Sequence, residues 1–140
     1  MRGKNMNKEN LLNLSLFTLR IVIGAIFMIY GAQKLFGMFG GIGLEGTAKM
    51  VEGMGLVNPD LLAVIWACIE FVGGIFLIFG ILARLSAVAI VFTVFVSLWK
   101  INLIYGFFIH SGGVEYNLLI IGACVPLILL GGGSWSVWDV

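Results

Sequence analysis

Two charged residues, Arg20 and Glu70, lie inside long apolar stretches of the sequence. Fourteen positions separate Arg20 from Lys34, roughly 21 Å along a helix, which is less than the hydrocarbon core of a bilayer at about 30 Å. A charge near the centre of a membrane helix costs about 2.5–3.5 kcal/mol, so such residues are usually paired or functional. The sequence therefore predicts that Arg20 and Glu70 pair near mid-depth. The pair would either only join two helices or form a buried polar site or proton relay, and no catalytic residue is assigned.

A second group of polar side chains gathers at one predicted end of the apolar segments. Its members are Gln33, Lys34, Lys100, Asn102, Tyr105, His110, Glu115, Tyr116 and Asn117. Of these, the candidate ligand-binding residues are Gln33, Lys34, Lys100, His110, Glu115 and Tyr116. With the neighbouring aromatic residues Trp99, Phe107 and Phe108, they could form a cup that binds a flat amphipathic ligand such as a quinone. The alternative is that they only anchor the chain at the membrane surface, which is the common role of interfacial Trp, Tyr and Lys. The sequence shows no metal-ligand spacing, no nucleophile–base pair and no phosphate-binding loop, so it predicts no metal and no intrinsic cofactor.

The composition of the chain indicates the class of protein in which these residues lie. Of the 140 residues, 61% are hydrophobic and 11% are charged, and the mean hydropathy is +1.12. Soluble domains carry about 25% charged residues, so the chain is predicted to be a membrane protein with several spans. The net charge of +1 provides no basic surface for nucleic acid. The two cysteines, Cys68 and Cys124, have no spacing that indicates a metal or dithiol site.

Four apolar segments predict four membrane-spanning helices within one domain. We expect the spans at about 12–36, 61–82, 85–104 and 114–130, in a domain of residues 12–131 between tails 1–11 and 132–140. In the loop 37–60, the amphipathic stretch 44–54 is predicted to lie on the membrane surface, with a lid over a site as the alternative. Positive residues favour a cytoplasmic N-terminus and C-terminus in the plasma (inner) membrane of a prokaryote. Arg2, Lys4, Lys8 and Arg84 would face the cytoplasm, and Lys34, Lys49 and Lys100 would lie outside.

Each predicted span carries one stripe of polar and small residues when it is drawn as a helix. The stripes are Asn13, Arg20, Gly24, Gly31 and Lys34 in the first span; Ala63, Glu70, Gly74 and Arg84 in the second; Ser86, Thr93, Ser97 and Lys100 in the third; and Glu115, Gly122 and Pro126 in the fourth. Helices that turn such stripes inward and apolar backs to lipid form a bundle. The predicted fold is therefore all-α, a membrane-embedded four-helix antiparallel bundle. Cys68 and Cys124 lie on the opposite faces of their helices, where a lipid-facing or packing role is expected.

Three stretches of the chain, in order, resemble the signatures of the DoxX family. The first is "LRIVIGAIFMIYGAQKLFG", the second "EFVGGIFLIFGILARLSA" and the third "GGVEYNLLIIGA". The resemblance runs from Leu16 to Asp139 and departs from the family pattern in the tail, which reads "GGGSWSVWD". It implies a four-helix integral membrane protein of the DoxX/DoxD-like group. Members of that group are associated with a terminal quinol oxidase, with thiosulfate:quinone oxidoreduction and with a membrane complex that handles oxidative stress.

Two functions from different classes follow. The first is an integral membrane subunit or accessory protein of a quinone-linked oxidoreductase system, with a quinone bound at the outer polar end. The second is a structural or assembly protein for a redox or stress-response complex, with no ligand or activity of its own. An accessory role is favoured over catalysis, and the expected partners are the lipid bilayer and other membrane or redox subunits, with self-association left open and nucleic acid excluded. A small-solute or proton carrier is disfavoured because the spans lack paired interruptions.

Overall fold

The computed structural model describes residues 7–111 and 113–137, and all regular secondary structure in this part of the chain is helical. Its α-helices are α1 (Lys8–Phe36), α2 (Gly43–Gly53), α3 (Pro59–Phe79), α4 (Ala83–Ser97) and α5 (Glu115–Leu130). A π-helical turn (Leu98–Asn102) and a 3₁₀ turn (Leu103–Tyr105) continue α4, and further 3₁₀ turns lie at Met38–Gly40 and Ile109–Ser111. Arg2 and Lys4 of the predicted N-terminal tail and residues 138–140 of the predicted C-terminal tail lie outside the described residues. The predicted all-α fold is confirmed.

The long helices begin and end where the sequence provides caps. The Asn7 side chain accepts a hydrogen bond from the first turn of α1, and Gly37, with φ +67°, ends this helix. Pro59 begins α3, and Gly80, with φ +72°, ends it. By length and apolar character α1, α3 and the segment Ala83–Tyr105 could each cross a membrane, whereas α5 is a shorter apolar helix of 16 residues. The molecule is therefore an all-α membrane bundle.

Glycines let α1 and α3 approach each other closely along an antiparallel contact. A Cβ atom added at Gly24 would lie 2.6 Å from the carbonyl oxygen of Gly74, and one added at Gly31 would lie 2.5 Å from the Cα of Phe71. Small residues at such contacts allow the van der Waals packing that holds membrane helices together. The register places the C-terminal part of α1 beside the middle of α3, and places Arg20 beside Gly80 at the end of α3.

The bundle has two ends with different neighbours. The end that contains the C-terminus of α1, the helix α2 and the residues 98–111 is called the Lys34 end below. The opposite end contains the turn between α3 and α4 and the segment that follows α5, and it is called the Arg20 end. Between them lies an apolar core, which is formed by Leu16, Ile23, Phe27, Leu77, Ala83, Ala87, Ile90, Val94, Ile120, Cys124 and Leu127.

The predicted inward stripes of the first three spans are buried, except at their ends. The buried members are Asn13, Arg20, Gly24 and Gly31 in α1; Ala63, Glu70 and Gly74 in α3; and Ser86 and Thr93 in α4. Lys34 and Ser97 are half-buried, and Arg84 and Lys100 are exposed. The sequence pattern predicted that these three helices turn their polar and small residues inward, and the burial of these residues agrees with that prediction.

The prediction for the fourth span is wrong. Glu115 and Gly122 are exposed, and α5 packs through the opposite side, where the buried residues are Asn117, Ile120, Cys124 and Leu127. The charge of Glu115 lies at the first position of α5, so it marks the helix end and not the inward face. The apolar residues spaced three and four positions apart mark the face that packs. Cys124 is accordingly a fully buried packing residue, and Cys68 is half-buried.

Helix α2 packs on the bundle at the Lys34 end. Its inner residues Thr47, Ala48 and Val51 are buried, and it contacts both α1 and α3. On its outer side Lys49 and Glu45, one turn apart, form an exposed ion pair with 3.9 Å between Nζ and Oε1. Both alternatives for this helix, a position on the membrane surface and a lid over a site, stay predictions.

Candidate functional site

A buried ion pair between α1 and α3 forms the polar centre of the Lys34 end. Lys34 Nζ lies 2.7 and 2.6 Å from the two carboxylate oxygens of Glu70, and the side chains are 16% and 5% exposed. The indole N–H of Trp66, one turn before Glu70, donates to Oε1 of the same carboxylate at 2.7 Å. The Lys34 ammonium also lies 5.2 Å from the centre of the Trp66 ring. The Glu70 carboxylate therefore has hydrogen-bond donors on both oxygens and a counter-charge from the neighbouring helix.

The predicted ion pair between Arg20 and Glu70 is wrong, because Glu70 pairs with Lys34. Both cations lie on the inward stripe of α1, roughly 21 Å apart along the helix axis. The antiparallel register of α1 and α3 brings Lys34 to Glu70 and brings Arg20 to Gly80. The sequence pattern gives the face of each helix but not the offset between two helices, and that offset selects the partner.

Arg20 lies at the Arg20 end, beneath the segment that follows α5. Its side chain is completely buried, and its Nη2 donates a hydrogen bond to the Trp135 carbonyl oxygen at 3.1 Å. The backbone N–H of Ser134 donates to Oδ1 of Asn13 at 3.1 Å, which also fixes this segment to α1. A Cβ atom at Gly80 would collide with the guanidinium, so the glycine leaves the space that Arg20 fills. Arg20 thus holds the C-terminal segment on the bundle.

The ion pair lines a cavity of about 190 Å³ at the Lys34 end, which is called the polar cavity below. The cavity is lined by Phe27, Tyr30, Lys34, Met50, Trp66, Glu70, Thr93, Val94, Ser97, Ile101, Asn102, Tyr116 and Asn117. Its volume is below the roughly 300–1,000 Å³ of sites for drug-sized ligands, so it suits a compact ring or head group.

The wall opposite the ion pair carries neutral polar side chains of α4 and α5. The Ser97 hydroxyl donates to Oδ1 of Asn102 at 2.9 Å, and the Asn117 amide donates to the Val94 carbonyl oxygen at 3.1 Å. Asn102 ends the π-helical turn, and such turns are frequent at functional sites because they redirect side chains within a helix. The turn brings the Asn102 side chain to the cavity.

Two hydrogen-bond donors on the cavity wall have unused capacity. Lys34 carries three N–H groups, of which Glu70 accepts two. The Tyr116 hydroxyl is buried and lies near the hydroxyl of Tyr30, but within residues 7–111 and 113–137 no partner meets it at full hydrogen-bond geometry. The rings of Tyr30 and Tyr116 lie edge to face, 6.2 Å apart. The cavity can therefore offer hydrogen bonds to acceptor oxygens of a ligand that lies between aromatic side chains.

The chain matches known proteins along most of its length. A family model for DoxX matches residues 15–112. The chain belongs to the DoxX family. A relative from Bacillus subtilis (strain 168), named "Putative oxidoreductase CatD", is 29% identical over 126 residues, which cover 90% of this chain and 84% of the relative. No solved structure matches the chain.

In this DoxX protein, two of the predicted ligand-binding residues, Lys34 and Tyr116, line the polar cavity. Gln33 does not line it, and its backbone and Cβ lie against Gly41 in the loop after α1. Glu115 is exposed, and its Oε2 accepts a hydrogen bond from the backbone N–H of Ile109 at 3.1 Å, so it holds the loop before α5. A role of Gln33 or Glu115 in ligand binding stays a prediction.

The other two predicted ligand-binding residues lie on the outside of the Lys34 end. Lys100 is exposed, with its ammonium 4.6 Å from the centre of the Trp99 ring. The exposed His110 stacks on Phe108, with ring centres 5.5 Å apart. These cation–π and stacking contacts agree with the anchoring alternative, since such amphipathic side chains are typical of a membrane surface.

Trp66, Tyr30 and Met50 are among the cavity residues of this DoxX protein that the sequence pattern missed. Trp66 and Tyr30 each precede a charged cavity residue, Glu70 and Lys34 respectively, by four positions, so they share its helix face. That spacing is a signal that could have found them. Met50 of α2 carried no such signal, because nothing in the sequence indicates which side chain of a loop helix reaches the bundle.

The chemistry that the geometry of the polar cavity supports is hydrogen bonding beside a paired charge. Among the described residues, no group of three or more His, Cys, Asp and Glu side chains could hold a metal ion. The Glu70 carboxylate accepts hydrogen bonds, and the Lys34 ammonium and the Tyr116 hydroxyl can donate them. These groups fit an uncharged ligand with acceptor oxygens, since the ion pair is already neutral as a whole. A role of Glu70 or Arg20 in a proton relay stays a prediction.

Proposed function

We propose that this DoxX protein is an integral membrane accessory protein of a quinone-linked oxidoreductase system, and that its polar cavity binds the quinone ring. The observation that carries the proposal is that Lys34 and Tyr116, two donors with unused capacity, line one compact cavity. A quinone has two carbonyl oxygens on opposite sides of a flat ring, and each oxygen accepts hydrogen bonds.

The walls of the polar cavity support the same ligand class. Phe27, Tyr30 and Trp66 supply aromatic surface, against which a flat ring can stack or pack edge to face. Glu70 lies beside the Lys34 donor and is the group placed to exchange a proton with a bound ring when a partner protein reduces or oxidises it. The Bacillus subtilis relative is named an oxidoreductase, which supports the proposal that this protein acts in a redox system.

Trp66 provides the test, because it lies in the cavity wall and its fluorescence reports a ligand there. We would replace Trp99, Trp135 and Trp138 by Phe, so that only Trp66 emits, and titrate a short-chain benzoquinone into the detergent-solubilised protein. We expect saturable quenching. Tyr116→Phe removes only the buried hydroxyl and should weaken binding about three- to tenfold, because a neutral hydrogen bond contributes about 0.5–1.5 kcal/mol.

Tyr105→Phe is the matched control. Tyr105 is exposed at the same end of the bundle and does not line the polar cavity, so its loss should leave quinone affinity unchanged. Linear quenching without saturation, or equal affinity in wild type and Tyr116→Phe, would contradict binding of the ring in this cavity.

The second candidate is an assembly protein without a ligand. The ion pair between α1 and α3 favours it, because such a pair also holds two helices in register. In this case Glu70→Gln would lower the amount of a purified redox complex but leave the activity per assembled complex unchanged. Under the quinone proposal, activity per complex falls as well.

We further propose that the protein lies in the plasma membrane with both termini in the cytoplasm and contacts other redox subunits there. The weak excess of Lys and Arg on the proposed cytoplasmic side supports this orientation. Reporter fusions at the C-terminus and within the loop that contains α2 would test it, with the loop expected outside. Co-purification with mass spectrometry would identify the partner subunits.

A further inference from the structure

The polar cavity has two neighbouring spaces. On the flank of the bundle, an apolar groove of about 280 Å³ lies between α3 and α4 and shares Trp66 and Thr93 with the polar cavity. At the Lys34 end, a recess of about 280 Å³ lies between α2 and the segment after α4 and shares Met50 and Ile101 with it. These spaces are called the flank groove and the outer recess. Each shared pair of side chains lies at the boundary between the polar cavity and a neighbouring space. This boundary is called a wall below, and a ligand that enters from the neighbouring space has to pass it.

The wall toward the flank groove is held by hydrogen bonds. Trp66 is 8% exposed, and its indole N–H is bonded to the Glu70 carboxylate at 2.7 Å. Thr93 is 4% exposed, and its hydroxyl donates to the Ile90 carbonyl oxygen at 2.8 Å. Opening this wall would break the buried hydrogen bond between Trp66 and the charged Glu70 carboxylate. Losing such a bond costs more free energy than losing one between neutral groups.

The wall toward the outer recess has no such bonds. Met50 and Ile101 have apolar side chains, so only packing keeps them in place, and both are half-buried. Methionine has three rotatable bonds and a soft thioether, and it adapts its shape more readily than other apolar side chains. Ile101 lies in the π-helical turn, where the regular backbone of α4 has already ended. Met50 and Ile101 are the two side chains that line both spaces, and Met50 is the more adaptable of the two.

We infer that ligands reach the polar cavity through the outer recess, and that Met50 and Ile101 form the gate. This inference rests on the proposed function. It also narrows the ligand class to quinones with short side chains. The polar cavity has about 190 Å³ and the outer recess about 280 Å³, so a ring with a short side chain fits these two spaces, whereas a long isoprenoid tail exceeds them. The recess presents Lys100 to the approaching carbonyl oxygens.

Thiol accessibility tests the gate without any quinone. Ser97 lines the polar cavity but neither neighbouring space, and Ser97→Cys is nearly isosteric. In a Cys68→Ala, Cys124→Ala background, we would measure how fast a water-soluble methanethiosulfonate modifies this cysteine. Met50→Ala should raise the rate about tenfold, equivalent to lowering the opening free energy by about 1.4 kcal/mol. Met50→Trp should lower it by a similar factor.

Val96→Trp is the matched control, because Val96 lines the flank groove and not the polar cavity. It should leave the modification rate unchanged. Equal rates in the three Met50 forms, or slowing by Val96→Trp alone, would overturn the gate. An unreactive cysteine even in Met50→Ala would overturn it as well.

A second measurement covers the case in which Ser97→Cys does not fold. The second measurement is the rate of quinone association, followed by Trp66 quenching, with Met50→Phe in place of Met50→Trp so that Trp66 stays the only emitting tryptophan. The rate should fall in Met50→Phe for a short-chain quinone, and a long-tailed quinone should bind poorly to all forms. Strong binding of the long-tailed ligand would overturn the ligand class. If no quinone binds but Met50 still controls thiol modification, the gate stands and the quinone proposal fails.

Discussion

Replacing Glu70 by Gln removes the negative charge of the ion pair and keeps the shape of the side chain. Lys34, only 16% exposed, then loses the carboxylate whose oxygens lie 2.7 and 2.6 Å from its Nζ. Removing one partner of a buried pair costs about 3–5 kcal/mol in soluble proteins. The partial exposure of Lys34 and the contacts that unfolded helices still find in a membrane reduce this, so we expect a loss of about 2–3 kcal/mol.

The assay is equilibrium unfolding in detergent micelles, applied to Glu70→Gln, Lys34→Met and the double variant. We expect each single change to be destabilising by a similar amount. The double variant should lose less than the sum of the two, because it leaves no unpaired charge. Glu45→Gln is the control, since its partner Lys49 is 75% exposed and Glu45 itself is 89% exposed. A surface pair of this kind contributes less than about 0.5 kcal/mol.

Two outcomes would refute this reasoning. One is a Glu70→Gln protein whose free energy of unfolding lies within about 0.5 kcal/mol of wild type, which is the range of ordinary surface substitutions. The other is strict additivity of Glu70→Gln and Lys34→Met, which would mean that the two side chains do not interact.

Two further predictions concern the packing of the bundle. Gly31→Ala should lower the free energy of unfolding by about 1–3 kcal/mol, because the added Cβ would lie 2.5 Å from the Cα of Phe71. Gly122→Ala, where a Cβ meets open space, should instead add about 0.5–1 kcal/mol, and unfolding in micelles measures both. Deleting residues 134–140 removes the Trp135 carbonyl that accepts from Arg20, so the thermal midpoint should fall. An unchanged thermal midpoint in the shortened chain would contradict the role given to Arg20.

Much of the fold is predictable from the sequence because hydropathy and helical spacing report it directly. Long apolar segments indicate the spans, and the stripes through Arg20, Glu70 and Thr93 indicate the buried faces of α1, α3 and α4. A buried charge is costly in lipid, so its position on a helix identifies the inward side. In α5 the only charged residue is Glu115, at the first position of the helix. No buried charge therefore indicates which side of α5 faces inward.

The candidate site was only partly predictable, because it depends on contacts between segments. The pairing of Glu70 with Lys34 follows from the offset of α1 against α3, which close glycine contacts set and no single-helix pattern contains. The burial of Arg20 under the C-terminal segment likewise depends on tertiary packing. Met50 reaches the polar cavity because α2 folds back onto the bundle, which a loop sequence does not reveal.

The most direct test of the central claim is to map where a quinone binds. A photoreactive short-chain quinone would be cross-linked to the purified protein with and without an unlabelled competitor, and the labelled residues would be identified by mass spectrometry. The polar cavity predicts labels on Tyr30, Trp66 and Tyr116 that the competitor removes. Labels confined to the Arg20 end, or labels that the competitor does not reduce, would contradict it.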